Sequence, residues 1–261
     1  MSDLSGKTAL ITGGSMGLGK AMATEFYKAN GNVALVARRQ DQLDNAKAEI
    51  EQSASSTGKV HIQSCDVTDA DQIIEAHRAS VAGLGEIDIL VNNAGKSEAH
   101  PFMSVTDEIW KGDLELKLFA AIRLTRLVFP GMCERKWGRI INILNTAAKT
   151  PGARSAPTSV SRAAGMALTK VLAGEGAPHN VLVNALLIGR IESDQSRRAY
   201  DTVDREESYE EYLARSGAGL PMGRMGVASE CGSVAGFLVS EGASYLTGCA
   251  INMDGGVSPV V

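Results

Sequence analysis

The stretch Thr8-Ala-Leu-Ile-Thr-Gly-Gly-Ser-Met-Gly-Leu-Gly19 runs from an apolar strand through a glycine turn into the start of a helix. Thr8–Thr12 has strand length and carries no charge. Gly13 permits the sharp turn, Gly17 lets a pyrophosphate approach the backbone, and Gly19 lets the helix sit close to the strand. Phosphate oxygens placed there would face N–H groups at the positive end of a helix dipole. The stretch predicts a dinucleotide site with contacts from Gly13, Ser15, Met16, Gly17, Leu18 and Gly19.

The same alternation continues outward. Short β-branched or apolar runs recur at Val33–Ala37, Val60–Gln63, Ile87–Val91, Arg139–Leu144 and Val181–Leu187. Between them Ala21–Ala29, Gln42–Ile50, Ile73–Val81, Ile109–Phe129 and Arg162–Leu172 carry apolar residues three and four apart, the helical spacing. Strands apolar on both faces, each followed by a helix, predict a parallel sheet between two helix layers. The expected fold is a three-layer α/β, Rossmann-type doubly wound parallel sheet, with residues 1–261 forming a single dinucleotide-binding domain. One segment departs from the pattern. In Arg190–Ser216, 13 of 27 residues are charged, with Tyr200, Tyr209 and Tyr212 interspersed. It reads either as a solvated helical excursion or as a lid over the substrate.

Composition excludes several classes of function. A length of 261 residues with 44% hydrophobic content suits one large domain. The balance of 26 basic against 30 acidic residues, net −4, offers no basic surface for nucleic acid. Cys65, Cys133, Cys231 and Cys249 lie far apart without C-x-x-C spacing, so neither a disulfide framework nor a metal site is expected. The longest apolar stretch, Val181–Ile188, is interrupted by Asn184 and is too short for a membrane span. No signal peptide is read before Thr8. A cytoplasmic protein with a small-molecule substrate is expected.

Further motifs follow in order: Cys65-Asp-Val67, Asn92-Asn-Ala-Gly95, Pro221-x-x-Arg224-x-Gly226, Leu246-Thr-Gly248 and Asp254-Gly-Gly256. With the T-G-x-x-x-G-x-G turn they resemble the short-chain dehydrogenase/reductase family over nearly the whole chain. The resemblance implies that Asp66 and Val67 hold the adenine of a nicotinamide dinucleotide. It also implies that Asn93, Ala94 and Gly95 line the ribose side, and that Ile188, Gly189 and Ser193 lie at the nicotinamide end. Cofactor choice turns on the end of the second strand, Val36-Ala-Arg-Arg-Gln40, where an acidic residue would bind the ribose 2′-OH of NAD. Arg38 and Arg39 stand there instead, suited to bidentate pairing with a 2′-phosphate, so NADP(H) is favoured over NAD(H). Met16 stands where relatives that prefer NADP often carry a basic residue.

The family's chemistry uses an Asn, a Ser, a Tyr and a Lys four residues after the Tyr. The run Arg139-Ile-Ile-Asn-Ile-Leu-Asn-Thr146 resembles "I-x-N-I-S-S", which places Asn145 at the serine. Thr158-Ser-Val-Ser-Arg-Ala-Ala164 resembles "Y-x-x-S-K-A-A", which places Thr158 at the tyrosine and Arg162 at the lysine. Counting back from Thr125 and Pro130 places Lys117 at the asparagine. A threonine hydroxyl is far less acidic than a phenol, whose pKa is about 10, so Thr158 reads as a hydrogen-bonding group. Asn145 can donate a hydrogen bond to a substrate oxygen. Arg162 can bind ribose hydroxyls but cannot pass protons. Lys117 reads either as a proton donor desolvated beside Arg162 or as a lysine snorkelling from a helix face. His100, in the loop after Gly95, and Tyr200 are further acid–base candidates.

Three functions stay open. The first is a short-chain-type oxidoreductase acting on a small carbonyl or alcohol with atypical acid–base residues. The second is a lyase or other non-redox enzyme using Lys117 as a base or a Schiff-base amine. The third is a non-catalytic cofactor-binding subunit or sensor. The resemblance further implies a homotetramer through Ile109–Phe129, Ser159–Leu172 and Val257–Val261, with a hetero-oligomer containing an active homologue as the alternative.

Overall fold

The computed structural model describes residues 3–203 and 206–261. The chain begins with β1 (Thr8–Thr12), every residue of which is buried. It continues through α1 (Gly17–Lys28), β2 (Asn32–Ala37), α2 (Gln40–Gln52), β3 (Val60–Ser64), α3 (Ala70–Leu84) and β4 (Ile89–Asn92). These seven elements are three strand–helix repeats followed by a fourth strand, and each strand pairs in parallel. A two-residue strand, β5 (Ala99–His100), precedes α4 (Asp107–Leu114) and α5 (Ala120–Glu134). Then come β6 (Gly138–Asn145), the short β7 (Ala156–Pro157), α6 (Thr158–Gly176) and β8 (Val181–Ile188). The chain closes with α7 (Asp194–Asp201), α8 (Tyr209–Gly217), α9 (Ala228–Leu238) and β9 (Ala250–Met253).

The main sheet has the order β3-β2-β1-β4-β6-β8-β9, with all its strands parallel. Both faces must then be covered, because parallel strands joined by crossover helices bury each side. One face packs Met22 and Phe26 of α1, Leu43 and Ile50 of α2, and Cys231 and Leu238 of α9. The other packs Ile73 and Ala76 of α3, Leu124 and Val128 of α5, and Ala173 of α6. This is the expected doubly wound, three-layer α/β arrangement in a single domain. The strand order reverses between β1 and β4, and the crevice at their carboxyl ends is where such sheets bind ligands.

Two features depart from the sequence reading. The helix expected over Ile109–Phe129 is not continuous: α4 and α5 are joined by a π-helical turn, Glu115–Phe119. A π-turn inserts one residue without Gly or Pro to mark it, and such turns concentrate at functional sites. The seventh strand, β9, was not foreseen. Its four residues are all only partly buried, so they lack the continuous apolar signal of the central strands.

The charged segment 190–216 folds into α7 and α8, with residues 204 and 205 outside the described residues. Ser208 and Glu211 close a capping box at the start of α8. The rings of Tyr200, Tyr209 and Tyr212 meet at centroid distances of 5.2, 5.5 and 6.1 Å. The Tyr200 hydroxyl donates to the Glu207 carbonyl at 2.7 Å, so this phenol ties the excursion to itself. Among the described residues no helix is long and apolar enough to cross a membrane.

Candidate active site

The dinucleotide cradle is built from close backbone contacts. Gly13 and Gly17 have φ of +63° and +50°, the left-handed region that glycine adopts without penalty. A Cβ on Gly19 would lie 2.2 Å from the Gly13 carbonyl oxygen, so helix α1 approaches the turn as closely as glycine allows. The N-cap of α1 is Met16, with no capping side chain and no acid in the first turn. The helix therefore leaves its N-terminal N–H groups and dipole for an anion. Ser15 lies in the turn itself, and Leu18 faces the core beneath it.

Thr12 and Asn93 hold the turn against β4. The Thr12 hydroxyl accepts from the Asn93 and Ala94 amides at 2.9 and 3.0 Å. The Asn93 side chain donates to the Thr12 and Gly13 carbonyls at 2.9 and 3.2 Å. Asn93 thus shapes the phosphate turn with its amide group. At the end of β2, Arg38 and Arg39 are exposed, and neither pairs with a carboxylate among the described residues. Arg39 reaches back over the turn to within 3.1 Å of the Met16 sulfur. Asp66 accepts from the amide and hydroxyl of Thr68 at 3.0 and 2.8 Å, while Val67 is buried beside it. At the far end, Gly189 donates to the Met253 carbonyl at 3.0 Å, and a Cβ there would strike Asp254 at 2.4 Å. Ser193 exchanges hydrogen bonds with Ser196 at the start of α7, its amide donating to the Ser196 hydroxyl at 2.7 Å.

Three elements carry the other predicted residues, and Lys117 and Thr158 meet directly. Lys117 comes from the π-turn, Asn145 from the end of β6, and Thr158 and Arg162 from the first turns of α6. The Lys117 side chain is 1% exposed, which excludes the snorkelling reading. Its ammonium donates to the Asp113 carboxylate and, at 2.8 Å, to the Thr158 hydroxyl. The Glu98 amide donates to the same Thr158 oxygen, also at 2.8 Å. Burial pushes the Lys117 pKa below the ordinary lysine value and Arg162 adds to that, against the opposing hydrogen bond and charge of Asp113.

Arg162 lies against the Asn-Ala-Gly turn. One guanidinium nitrogen donates to the Ile143 carbonyl at 2.5 Å, and another would meet a Cβ on Gly95 at 2.6 Å. Burial lowers its pKa to about 10. Arg162 Nε and Asn145 Oδ1 are buried without a hydrogen-bond partner among the described residues. Unpaired buried polar groups are uncommon, and a bound ligand is one way to satisfy them. With the glycine cradle and uncapped helix, they fit a dinucleotide laid across the crevice.

Glu98 links the site to its rim. Its carboxylate accepts from Lys96 at 2.5 Å and pairs with His100 at 2.7 Å, which holds the carboxyl at about 2, the His100 contact contributing most. His100 lies in β5, and β5 pairs antiparallel with β7 just before Thr158. This histidine is therefore engaged with Glu98 beside α6.

Sequence reasoning missed Asp113 and Ser161. The Asp113 side chain is 0% exposed, and its second oxygen accepts from the Ser161 hydroxyl at 2.6 Å. A signal was present: Asp113, Lys117, Ala120, Ala121, Leu124 and Val128 follow one helical stripe, and all are buried. Two opposite charges on an apolar stripe mark a buried pair.

The short chain dehydrogenase family model matches residues 7–204. The 3-oxoacyl-(acyl-carrier-protein) reductase FabG of Aquifex aeolicus is 33% identical over 255 residues, covering 97% of this chain and 98% of its own length. This chain belongs to the short-chain dehydrogenase family. L-Sorbose reductase from Gluconobacter frateurii, solved with NADPH and L-sorbose, superposes with a TM-score of 0.93 at 32% identity, over 100% of this chain and 99% of that one. An NADPH-bound short chain oxidoreductase from Pseudomonas aeruginosa PAO1, described as containing an atypical catalytic center, has a TM-score of 0.91 at 32% identity, over 100% of both chains. The chain is accordingly an oxidoreductase of the short-chain dehydrogenase type.

Proposed function

We propose that this chain is an NADPH-dependent reductase of a small carbonyl substrate, in which Thr158 backed by Lys117 takes the role the family gives to a tyrosine. The reading places Lys117, Asn145, Thr158 and Arg162 at the family's four catalytic positions. One observation carries it. A threonine oxygen has two acceptor sites and one proton to donate. Lys117 Nζ and the Glu98 amide, both donors at 2.8 Å, take the two acceptor sites. The hydroxyl proton is left to donate, and no acceptor meets it among the described residues. A substrate carbonyl oxygen would complete that bond.

The reaction balances as follows. Bound reduced dinucleotide supplies the hydride that the carbonyl carbon accepts. Thr158 donates its proton to the carbonyl oxygen as Lys117 donates one to Thr158 Oγ1. Lys117 is left neutral and would recover its proton through the Thr158 hydroxyl once product leaves and water enters the crevice. Threonine never ionises in this scheme, because the acid is the lysine and the hydroxyl is its relay. Asn145, at the end of β6, donates its amide to the same substrate oxygen. Arg38 and Arg39 would hold the 2′-phosphate and Arg162 the ribose nearest the nicotinamide. Segment 190–216 would close over the substrate. The NADPH-bound oxidoreductase from Pseudomonas aeruginosa, with its atypical catalytic center, supports an NADPH-linked oxidoreductase without the family's usual residues. Pairing with Asp113 and exclusion from solvent favour proton donation by Lys117 over amine attack on a substrate, so the Schiff-base reading is set aside.

The test is NADPH oxidation against a panel of aldehydes and ketones, with Lys117→Met beside the wild type. The substitution is expected to lower kcat by about 10²–10⁴-fold and leave NADPH affinity within about threefold. Turnover by Lys117→Met at the wild-type rate would refute the proposal.

A further inference from the structure

Lys117 is one of two cations packed at the start of α6, and what keeps it charged and aimed comes from another turn of its own helix. We infer that Asp113, fixed by Ser161, is a positioning residue that holds the Lys117 ammonium on the Thr158 hydroxyl. The inference rests on the reading of Lys117 as proton donor.

The geometry is closed on every side. Asp113 Oδ1 accepts from Lys117 and Oδ2 accepts from the Ser161 hydroxyl at 2.6 Å. Ser161 lies three residues after Thr158 on α6, so the carboxylate binds the helix that carries the hydroxyl and the lysine that serves it. The π-turn places Lys117 beneath α6, one turn after Asp113. Two ammonium hydrogens are then committed, one to Asp113 and one to Thr158. The charged groups that act on Lys117 are Asp113 from α4, Arg162 from α6 and Glu98 from the segment before β5. Arg162 opposes its charge, and Glu98 is already engaged by Lys96 and His100. Asp113 is the countercharge bonded directly to it. Without that carboxylate a buried lysine beside an arginine loses its proton more readily.

The experiment is the pH profile of kcat for NADPH-driven reduction in wild type, Asp113→Asn and Lys117→Met, with NADPH affinity measured alongside. Reduction needs a protonated Lys117, so activity falls as pH rises through its pKa. In Asp113→Asn that fall is expected at least one pH unit lower, about a tenfold loss above the new midpoint, with NADPH affinity unchanged. A profile in Asp113→Asn that coincides with the wild type overturns the inference. Should Asp113→Asn fail to fold, Ser161→Ala, which removes the hydroxyl that fixes the Asp113 carboxylate, decides. An alkaline fall displaced to lower pH in Ser161→Ala supports the inference, and a profile that coincides with the wild type overturns it. Failure of the parent reading looks different, since Lys117→Met would then keep the wild-type rate.

Discussion

Replacing Thr158 by valine keeps the β-branched shape and removes only the oxygen on which two donors converge. The consequences follow from the geometry. Lys117 keeps Asp113 but loses its bond to Oγ1, and the Glu98 amide loses its acceptor, both at 2.8 Å. Leaving a buried donor unpaired costs about 1–3 kcal/mol, so the pair together costs about 2–6 kcal/mol. In a domain of this size that lowers Tm by about 5–20 °C, readable by differential scanning fluorimetry. The effect on chemistry is separate and larger, because the relay from Lys117 to the substrate oxygen is cut. The drop expected in kcat is about 10²–10⁴-fold, measured below the lowered Tm with saturating NADPH. Thr158→Ser keeps the hydroxyl and is expected to recover most of the rate. Cofactor affinity should stay within about threefold, since Thr158 bonds Lys117 and Glu98 rather than the glycine turn. A valine variant with lowered Tm but wild-type kcat would show that the hydroxyl only satisfies its neighbours, and would refute the relay.

Two further outcomes test other parts of the site. Arg38→Ala and Arg39→Ala are each expected to raise the Kd for NADPH about 10–100-fold, from a charge-assisted contact of about 1.5–3 kcal/mol, and to leave NADH within about twofold. Fluorescence titration of both cofactors decides it, and an equal loss for both removes the arginines from 2′-phosphate recognition. The Glu98 carboxyl is held at about 2 in the folded chain against an ordinary 4.5, chiefly by His100 and then by Lys96. A depressed carboxyl stabilises fully above pH 4.5 and loses that contribution as pH falls towards 2. Thermal unfolding of Glu98→Gln should therefore vary less across that window than the wild type, and parallel curves would contradict the assignment.

The strand, glycine turn and helix of the candidate cofactor cradle were legible because their determinants are local. Gly13, Gly17 and Gly19 act on the turn in which they occur, and Arg38 and Arg39 end the next strand, so spacing alone carries their meaning. The placement of Thr158 and Arg162 four apart at the start of one helix was legible for the same reason. β9 was not, because Ala250–Met253 joins the sheet at its edge, where its only partner in the main sheet is β8. Local propensity there is weak and tertiary pairing decides. The π-turn was hidden by a periodicity that continues from Asp113 to Val128 without Gly or Pro.

Asp113 and Lys117 show the limit most clearly. An acid four residues before a lysine is the ordinary spacing of an exposed helix pair, worth only a few tenths of a kcal/mol in water. Here the pair is buried because α6 covers it, bringing Ser161 to the carboxylate and Thr158 to the ammonium from 48 and 41 residues away. Spacing along one helix cannot report which face a second helix will cover. What could report it is the conflict between two charges and the apolar stripe they occupy. A buried ion pair is poor value for stability, because hydrophobic residues of similar volume serve the core equally well. Where Asp113 and Lys117 stand in place of such residues beneath Thr158, the desolvation cost is set against their hydrogen bonds to each other, to Ser161 and to Thr158, and such a conflict is where a reading of the sequence should look for function.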